Sequence, residues 1–234
     1  MADIIVRVLE EIPPARELGE DEVRVLLQRH SEHQDNIPDR DAVDRIFEQG
    51  WVLGHMGYRP TVRRSSSSPR ALWANLVLMS GIFQACKKSD GPKFKLADLP
   101  TEPALDAFGS QADDELGRRV MDYKSASYLE GDEVFWQLIN EDPEFCSEVR
   151  RRGNWAARAI MKLVTKYPGQ TILATSHGIA VLETAITHLS VFGQDNPPAD
   201  EPIRNPEHKF SCGQIAELIF RKDKLVEVNF FPVP

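Results

Sequence analysis

The sequence predicts an α/β fold, a three-layer α/β/α sandwich in which helices cover both faces of a mostly parallel central sheet. Two observations indicate it. Short apolar runs alternate along the chain with segments of helical spacing, and 234 residues suit a single α/β domain. In open sheets of this kind, ligands bind beyond the carboxyl ends of the strands. The residues that follow each predicted strand are therefore the candidates for a functional site.

The first elements are predicted from local spacing and helix-ending residues. Residues 2–12 have the pattern of a short amphipathic helix that Pro13 and Pro14 end. We expect residues 1–20 to be an N-terminal extension and residues 21–234 to form the domain. The β-branched and Leu-rich run 23–28 predicts the first strand of that domain. Helical spacing follows over residues 41–49, and Gly50 is expected to close this helix.

The middle of the chain continues the alternation of strand and helix. A second strand is predicted over residues 61–66, and a helix with one apolar face over residues 70–86. A third strand is expected over residues 94–97. A long helical insertion is predicted over about residues 114–167, with a break near Asp142 and Pro143.

The last third contains the clearest buried strand, residues 170–176, and a helix over residues 178–189. Residues 193–208 are rich in Pro, Asp and Asn, which predicts a surface loop. Two short strands close the chain, residues 214–220 and 225–230, joined by a charged turn.

Composition limits the classes of function. A net charge of −8 argues against non-specific binding of nucleic acid, although a local pocket in an acidic protein can still attract a small anion. No apolar run approaches the roughly 18 residues of a membrane span, so no membrane partner is expected. The acidic amino terminus does not resemble a secretory signal, and the three cysteines have no paired spacing. A cytoplasmic protein with reduced thiols is therefore expected.

Polar and cationic residues follow three of the predicted strands. The three segments are Arg29-His30-Ser31-Glu32, Ser67-Ser68-Pro69-Arg70 and Ser176-His177-Gly178. If the strands are parallel neighbours, two histidines and two arginines meet at one edge of the sheet. Helices that start just after these residues direct their first N–H groups into the same space. This combination of groups favours the binding of a phosphate.

A histidine in such a pocket can also act as a nucleophile. A neutral imidazole nitrogen can attack phosphorus and divide hydrolysis into two steps through a phosphohistidine. Phosphoryl transfer depends mainly on positioning and on neutralisation of the phosphate oxygens, which fixed cations supply. This hypothesis requires no metal and no cofactor.

The same three segments resemble the motifs of the histidine phosphatase superfamily, also called the phosphoglycerate-mutase-like superfamily. Its first motif, Arg-His-Gly-Glu-(Thr/Ser)-x-x-Asn, is similar to Arg29-His30-Ser31-Glu32-His33-Gln34-Asp35-Asn36. Its pair of serines before Arg-Ala is similar to Ser67-Ser68-Pro69-Arg70-Ala71, and its apolar strand ending in Ser-His-Gly to Leu173-Ala174-Thr175-Ser176-His177-Gly178. The resemblance covers about residues 21–231 and implies the phosphoglycerate-mutase-like fold.

The resemblance also implies roles for individual residues. His30 would be the phosphorylated nucleophile, and the phosphate pocket would consist of Arg29, Arg70 and His177. The expected substrate-binding set is completed by Asn36, Ser31 and Gly178. Ser31 replaces the glycine of the family, so it either changes the turn after His30 or donates its hydroxyl to the phosphate.

The general acid of the family is a carboxylate in a Leu-x-Glu segment, and this chain departs from that pattern. Residues 101–109 offer Glu102 and Asp106, and nothing in the sequence decides between them. If neither acts, the substrate needs a good leaving group, as in a phosphohistidine or an acyl phosphate, or the chain is inactive.

The sequence thus predicts a phosphatase for a phosphate monoester, whose partner is a small phosphorylated substrate or a phosphoprotein. Three alternatives remain open: a protein phosphohistidine phosphatase, a non-catalytic phospho-ligand binding module and, less favoured, a phosphomutase. A metal site of His30 and His33 with Glu32 and Asp35 is also less favoured, because a strand ends at His30 and Pro38 follows closely. A homodimer remains open as well.

Overall fold

The structure is a computed structural model. It describes residues 5–30, 33–34, 37–38, 40–86, 99–105, 119, 122, 132–176, 179–191, 210 and 212–233.

Helices and strands alternate along the chain, as the spacing predicts. The strands are β1 (Ile5–Val8), β2 (Glu22–Arg29), β3 (His33–Gln34), β4 (Ile37–Pro38), β5 (Val62–Ser65), β6 (Thr171–Ser176), β7 (Ile215–Arg221) and β8 (Lys224–Phe231). The helices are α1 (Arg40–His55), α2 (Pro69–Ala85), α3 (Asp132–Glu141), α4 (Pro143–Lys166) and α5 (Ile179–Val191), with a short 3₁₀ turn at Pro103–Leu105. Among the described helices, none is long and apolar enough to cross a membrane.

Among the described residues, six strands form the main sheet in the order β1-β8-β7-β2-β6-β5, and β3 pairs separately with β4. Within the main sheet β2, β6 and β5 are parallel neighbours, and β1 is parallel to β8. Strand β7 runs antiparallel to both of its neighbours. Because β2, β6 and β5 are parallel, their carboxyl ends meet at one edge of the sheet, which we call the strand-end edge.

Helices cover both faces of this sheet, which confirms the three-layer prediction. On one face Leu26 and Leu173 pack with the apolar side chains of α1 and α2. On the other face Leu27 and Ala174 pack with those of α3, α4 and α5. Successive strand residues point to opposite faces, and both β2 and β6 are buried along their whole length.

Residues 5–8 form a strand, so the helix expected over residues 2–12 is wrong. β1 pairs in parallel with β8, from Ile5 opposite Glu227 to Val8 opposite Phe230. The β-branched residues of this run favour a strand, and β8 offers an unpaired edge on which its main-chain groups are satisfied. Local helical spacing could not reveal a pairing partner more than 200 residues away.

Helix α1 continues past Gly50 to His55, so the expectation that Gly50 closes it is also wrong. Gly50 faces α2 instead: a Cβ added there would lie 2.1 Å from the carbonyl oxygen of Leu78. Gly81 on α2 has the reciprocal contact, because its Cβ would lie 2.2 Å from the carbonyl oxygen of Phe47. The two helices therefore cross at a distance that only glycine permits.

The predicted helix break near Asp142 is confirmed. The Asp142 carboxylate accepts hydrogen bonds from the N–H groups of Glu144 and Phe145, and Pro143 occupies the first helical position of α4. The strand expected over residues 94–97, the loop over residues 193–208 and most of the insertion before α3 lie outside the described residues.

The segment before β2 is attached to the domain through Glu22. This buried carboxylate pairs with Arg16 at 2.6 Å and with Arg221 at 2.9 Å, and it accepts a hydrogen bond from the Gly19 N–H at 3.0 Å. The hydrogen bond from Arg16 is the main reason that the pKa of Glu22 falls from 4.5 to about 2. Burial acts in the opposite direction, whereas the hydrogen bonds from Gly19 and Arg221 lower the pKa further. The carboxylate form is therefore the one that stabilises the fold.

Replacing this carboxylate is expected to cost stability in a pH-dependent way. The lowered pKa makes the contribution of Glu22 complete above pH 4.5, and it is lost as the pH falls from 4.5 toward 2. We expect Glu22→Gln to lower the free energy of unfolding by about 2 kcal/mol at pH 7. This is less than the pKa shift alone would give, because solvent screens the charges of the half-exposed arginines. Urea denaturation at stepped pH measures the difference between variant and wild type.

Glu20, which is exposed and two residues away, provides the matched control. Glu20→Gln is expected to change the free energy of unfolding by less than about 0.5 kcal/mol. A Glu22→Gln difference that stays constant from pH 7 to pH 3 would contradict the assigned role of the ionised carboxylate.

Candidate active site

Arg29 and His30 lie where β2 reaches the strand-end edge. Arg29 is the last residue of β2 and is paired in register with Ser176, the last residue of β6. The His30 N–H donates a hydrogen bond to the Ser176 carbonyl oxygen at 3.0 Å. Both side chains are buried, each 7% exposed. The parallel register thus brings the first predicted site segment beside the strand that leads into His177.

Arg70 reaches the same edge from β5. Ser65 ends this strand opposite Thr175, and the Ser66 N–H donates to the Thr175 carbonyl oxygen at 2.9 Å. Helix α2 begins three residues later at Pro69, so Arg70 lies in its first turn. The guanidinium is half-buried, and this burial lowers the pKa of Arg70. A cation that has lost part of its water shell gains more from an anionic ligand than an exposed one does.

The amino end of α2 adds to the anion-binding character of this edge. Ser68 precedes the helix, but its side chain makes no capping hydrogen bond. Its hydroxyl oxygen, like that of Ser65, is buried without a hydrogen-bond partner among the described residues. The first N–H groups of a helix favour a negative charge, so the geometry here suits a phosphate oxygen.

Glu102 is carried to the carboxyl end of β5 by its main chain. The Ser65 N–H donates to the Pro100 carbonyl oxygen at 3.3 Å, and the Glu102 N–H donates to the Ser65 carbonyl oxygen at 2.7 Å. A few residues later the Leu105 carbonyl oxygen accepts a hydrogen bond from the Ser176 hydroxyl. Residues 99–105 therefore run along the strand-end edge from β5 to β6, with Glu102 half-buried there.

Residues just before β7, which the sequence did not identify as part of the site, contact Arg29 and His30. The Phe210 carbonyl oxygen accepts a hydrogen bond from Arg29 Nη1 at 2.8 Å, and the Phe210 N–H donates to the Glu183 carboxylate at 2.8 Å. The Arg29 N–H donates to the Gln214 carbonyl oxygen at 3.0 Å, and the Gly213 N–H donates to that of His30 at 3.3 Å. These contacts involve main-chain groups, which carry no residue-type signal. Of these groups, only Glu183 gives a signal in the sequence, because it is an acidic residue within the otherwise apolar run of α5.

The predicted site residues thus divide into two groups. The described structure brings Arg29, His30, Arg70 and Glu102 to the strand-end edge. The other five lie outside the described residues: Ser31, Asn36, Asp106, His177 and Gly178. The structure describes the residues on both sides of the His177-Gly178 pair, namely Ser176 at the end of β6 and Ile179 at the start of α5.

The metal alternative rests on residues that are only partly described. The side chain of His33 and all of Glu32 and Asp35 lie outside the described residues. Within the described part of the chain, no three His, Cys, Asp or Glu side chains form a group that could hold a metal ion.

Comparisons by sequence find no relatives for this chain: no family model matches it, and no curated protein does. Comparison of the structure finds many. It is similar to Bacillus stearothermophilus YhfR with a TM-score of 0.54 and 15% identity, covering 87% of this chain and 94% of the other. It is also similar to the phosphoglycerate mutase of Bacillus anthracis str. Sterne, with a TM-score of 0.52 and 14% identity over 88% of this chain and 91% of that one.

A third similar structure is a phosphoserine phosphatase from Entamoeba histolytica in complex with 3-phosphoglyceric acid. Its TM-score is 0.52 at 16% identity, and the match covers 87% of this chain and 94% of the phosphatase. Identities this low establish the architecture of the chain rather than its activity. The matches extend over nearly the whole length of each protein and agree with the sheet order and the strand-end edge described above. The chain has the histidine phosphatase, or phosphoglycerate-mutase-like, fold.

Proposed function

We propose that this protein is a phosphatase that hydrolyses a phosphate monoester through a phosphohistidine on His30. One observation carries the proposal. Buried Arg29 and His30, at the end of β2, are hydrogen-bonded to the end of β6 and lie at the edge where α2 begins with Arg70. A histidine, two guanidinium groups and a helix amino end in one place are the components that phosphoryl transfer needs.

In the first step an imidazole nitrogen of His30 attacks phosphorus opposite the ester oxygen. The N–P bond forms while the P–O bond to the alcohol breaks, and the alcohol leaves with a proton from a carboxyl group. Arg29, Arg70 and His177 balance the charge on the remaining phosphate oxygens. In the second step water attacks phosphorus and the carboxylate takes a proton from that water. A new P–O bond forms while the N–P bond to His30 breaks, which releases orthophosphate and restores the neutral imidazole.

Glu102 is the favoured carboxyl group for these proton transfers. Its main chain is hydrogen-bonded to Ser65 at the carboxyl end of β5, so its side chain starts at the strand-end edge. Asp106 remains the second candidate. The proposed chemistry uses side chains of this protein only and needs no metal ion.

The structural relatives support phosphoryl chemistry on small molecules. One is a mutase, and another is a phosphatase solved in complex with 3-phosphoglyceric acid. We infer that the substrate here is a small phosphorylated molecule. A phosphohistidine on a partner protein is a second possible class of substrate, because its leaving group needs less help from an acid.

Rapid-quench labelling with a radioactive aryl phosphate, in the presence of a chelator, tests the proposal. We expect the wild type to acquire a label that is stable in base and labile in acid, as a phosphohistidine is. The matched control is His55→Ala, which removes an exposed histidine at the end of α1 and should keep the label.

His30→Ala should acquire no label under the same conditions. Label on His30→Ala would show that another residue is the nucleophile. A wild type that neither takes up label nor releases phosphate from aryl esters, acyl phosphates or a phosphohistidine protein would refute the enzyme assignment and favour a phosphate-binding module.

A further inference from the structure

Three polar side chains form a hydrogen-bonded chain in the core, one residue before the strand-end edge. The Asn75 Nδ2 group donates to Thr175 Oγ1 at 3.0 Å, and Thr175 Oγ1 donates to Gln28 Oε1 at 3.0 Å. All three side chains are fully buried. We call this set the buried polar chain.

The buried polar chain joins the elements that carry the proposed site. Gln28 lies in β2 just before Arg29 and His30, and Thr175 lies in β6 just before Ser176. Asn75 lies on α2 five residues after Arg70, and its Nδ2 group also donates to the Arg64 carbonyl oxygen of β5 at 3.4 Å. A single hydrogen-bonded set therefore fixes α2 against β2, β6 and β5 at the level of the site.

The surroundings of this chain indicate that stability alone does not explain it. The neighbouring side chains of the same layer are apolar, among them Leu26, Leu78 and Leu173. Within the described part of the protein, Gln28 Nε2 and Asn75 Oδ1 are buried with no hydrogen-bond partner. A partly satisfied polar set stabilises a core less than apolar side chains of the same size would.

In addition to any stability, a hydrogen bond fixes the relative orientation of the groups that it joins. Apolar contacts allow a helix to slide or rotate slightly on a sheet, because the hydrophobic effect has no preferred orientation. Donor and acceptor geometry is narrow by comparison. The bonds of Asn75 thus restrict the rotation of α2, and with it the position of Arg70 relative to His30.

We infer that Thr175 is a positioning residue of the phosphate site, which acts through Asn75 on Arg70 and through Gln28 on His30. The inference rests on the proposed function, since it assigns these residues to the same site. Thr175 is central because its hydroxyl is both the acceptor from Asn75 and the donor to Gln28. Without this hydroxyl, the hydrogen-bonded path from Asn75 through Thr175 to Gln28 is broken.

The test compares Thr175→Val with Thr171→Val, the same nearly isosteric change at the other end of β6. Thr171 is also buried, and its hydroxyl takes no part in the buried polar chain. With 4-nitrophenyl phosphate as substrate, we expect Thr175→Val to lower kcat by about 10-fold or more with little change in KM, since small displacements of catalytic groups reduce rate steeply. Thr171→Val should retain the wild-type kcat, and Thr175→Ser, which restores the hydroxyl, should recover most of it.

A kcat for Thr175→Val within about twofold of Thr171→Val would overturn the inference, because a positioning residue acts on the transition state. If Thr175→Val does not fold, as judged by circular dichroism, Gln28→Met decides in its place, since it removes only the last bond of the chain. The affinity for inorganic phosphate, measured by calorimetry on the same proteins, separates this inference from the proposed function. If the wild type hydrolyses no ester, weaker phosphate binding by Thr175→Val alone still supports positioning, and equal binding by all variants refutes it.

Discussion

His30→Ala is expected to reduce kcat/KM on an aryl phosphate by at least about 10³-fold, because loss of a nucleophile removes the covalent route rather than one contact. The side chain is 7% exposed and lies directly after Arg29, where β2 meets the end of β6. Phosphate release under multiple turnover measures the effect. The fold should survive, since the main-chain bonds of His30 to Ser176 and Gly213 do not need its side chain.

The control for this loss is again His55→Ala, which should keep wild-type turnover and a wild-type melting temperature. Inorganic phosphate should still bind to His30→Ala, since Arg29 and Arg70 remain. Turnover by His30→Ala above about one-tenth of the wild-type value would exclude His30 as the nucleophile. Loss of both turnover and folding would instead point to a structural histidine.

Gly81→Ala is expected to destabilise the protein by about 3 kcal/mol, a large effect for one methyl group. The added Cβ would lie 2.2 Å from the carbonyl oxygen of Phe47 and 2.7 Å from the main-chain nitrogen of Trp51. Both are backbone atoms of α1, so no side chain can rotate away and the two helices must separate. Thermal or urea denaturation of the variant measures the cost.

The predicted loss of stability is opposite in sign to the usual effect of replacing glycine by alanine in a helix, so it tests the close crossing of α1 and α2 strictly. In a helix without a close neighbour, replacing glycine by alanine stabilises by about 1 kcal/mol. Ser80→Ala, at the adjacent and exposed position of α2, controls for this propensity and should change stability by less than about 0.5 kcal/mol. A stabilised Gly81→Ala would mean that α1 and α2 do not cross as closely as described.

The tight crossing of α1 and α2 also bears on the proposed site. Helix α2 carries Arg70 at its amino end and is fixed by α1 along one side and by the buried polar chain along another. A displacement of α2 in Gly81→Ala should therefore lower activity as well as stability. Thr175→Val, by contrast, is expected to affect activity more than stability.

Local pattern alone was enough to predict most of the elements that the structure describes. The all-buried strand ending at Ser176, the strand ending at Arg29 and the helix that begins beside Arg70 were all predicted within about two residues. Each depends on a short run of apolar residues with a period of about two or 3.6, or on a cap or proline next to it, and these are properties of adjacent residues. The order of the strands and helices then limited the fold to a sheet covered on both faces.

The motifs at the strand ends were also visible in the sequence. Arg29-His30, Arg70 and Ser176-His177-Gly178 combine residue types that suit a phosphate, and their resemblance to one superfamily indicated its fold, which the structure confirms. The roles of these residues in catalysis stay predictions until the labelling and turnover measurements are made.

Tertiary structure decided the features that depend on partners far away in the chain. Residues 5–8 became a strand because β8 offered an edge, and Gly50 allows the close approach of Leu78 rather than ending a helix. The support of Arg29 by the main chain of Phe210, and the bonds of Thr175 to Gln28 and Asn75, likewise join residues separated by up to 181 positions. Periodicity and residue type report the preferences of neighbouring residues, whereas these contacts exist only once the chain has folded and brought distant groups within hydrogen-bonding distance.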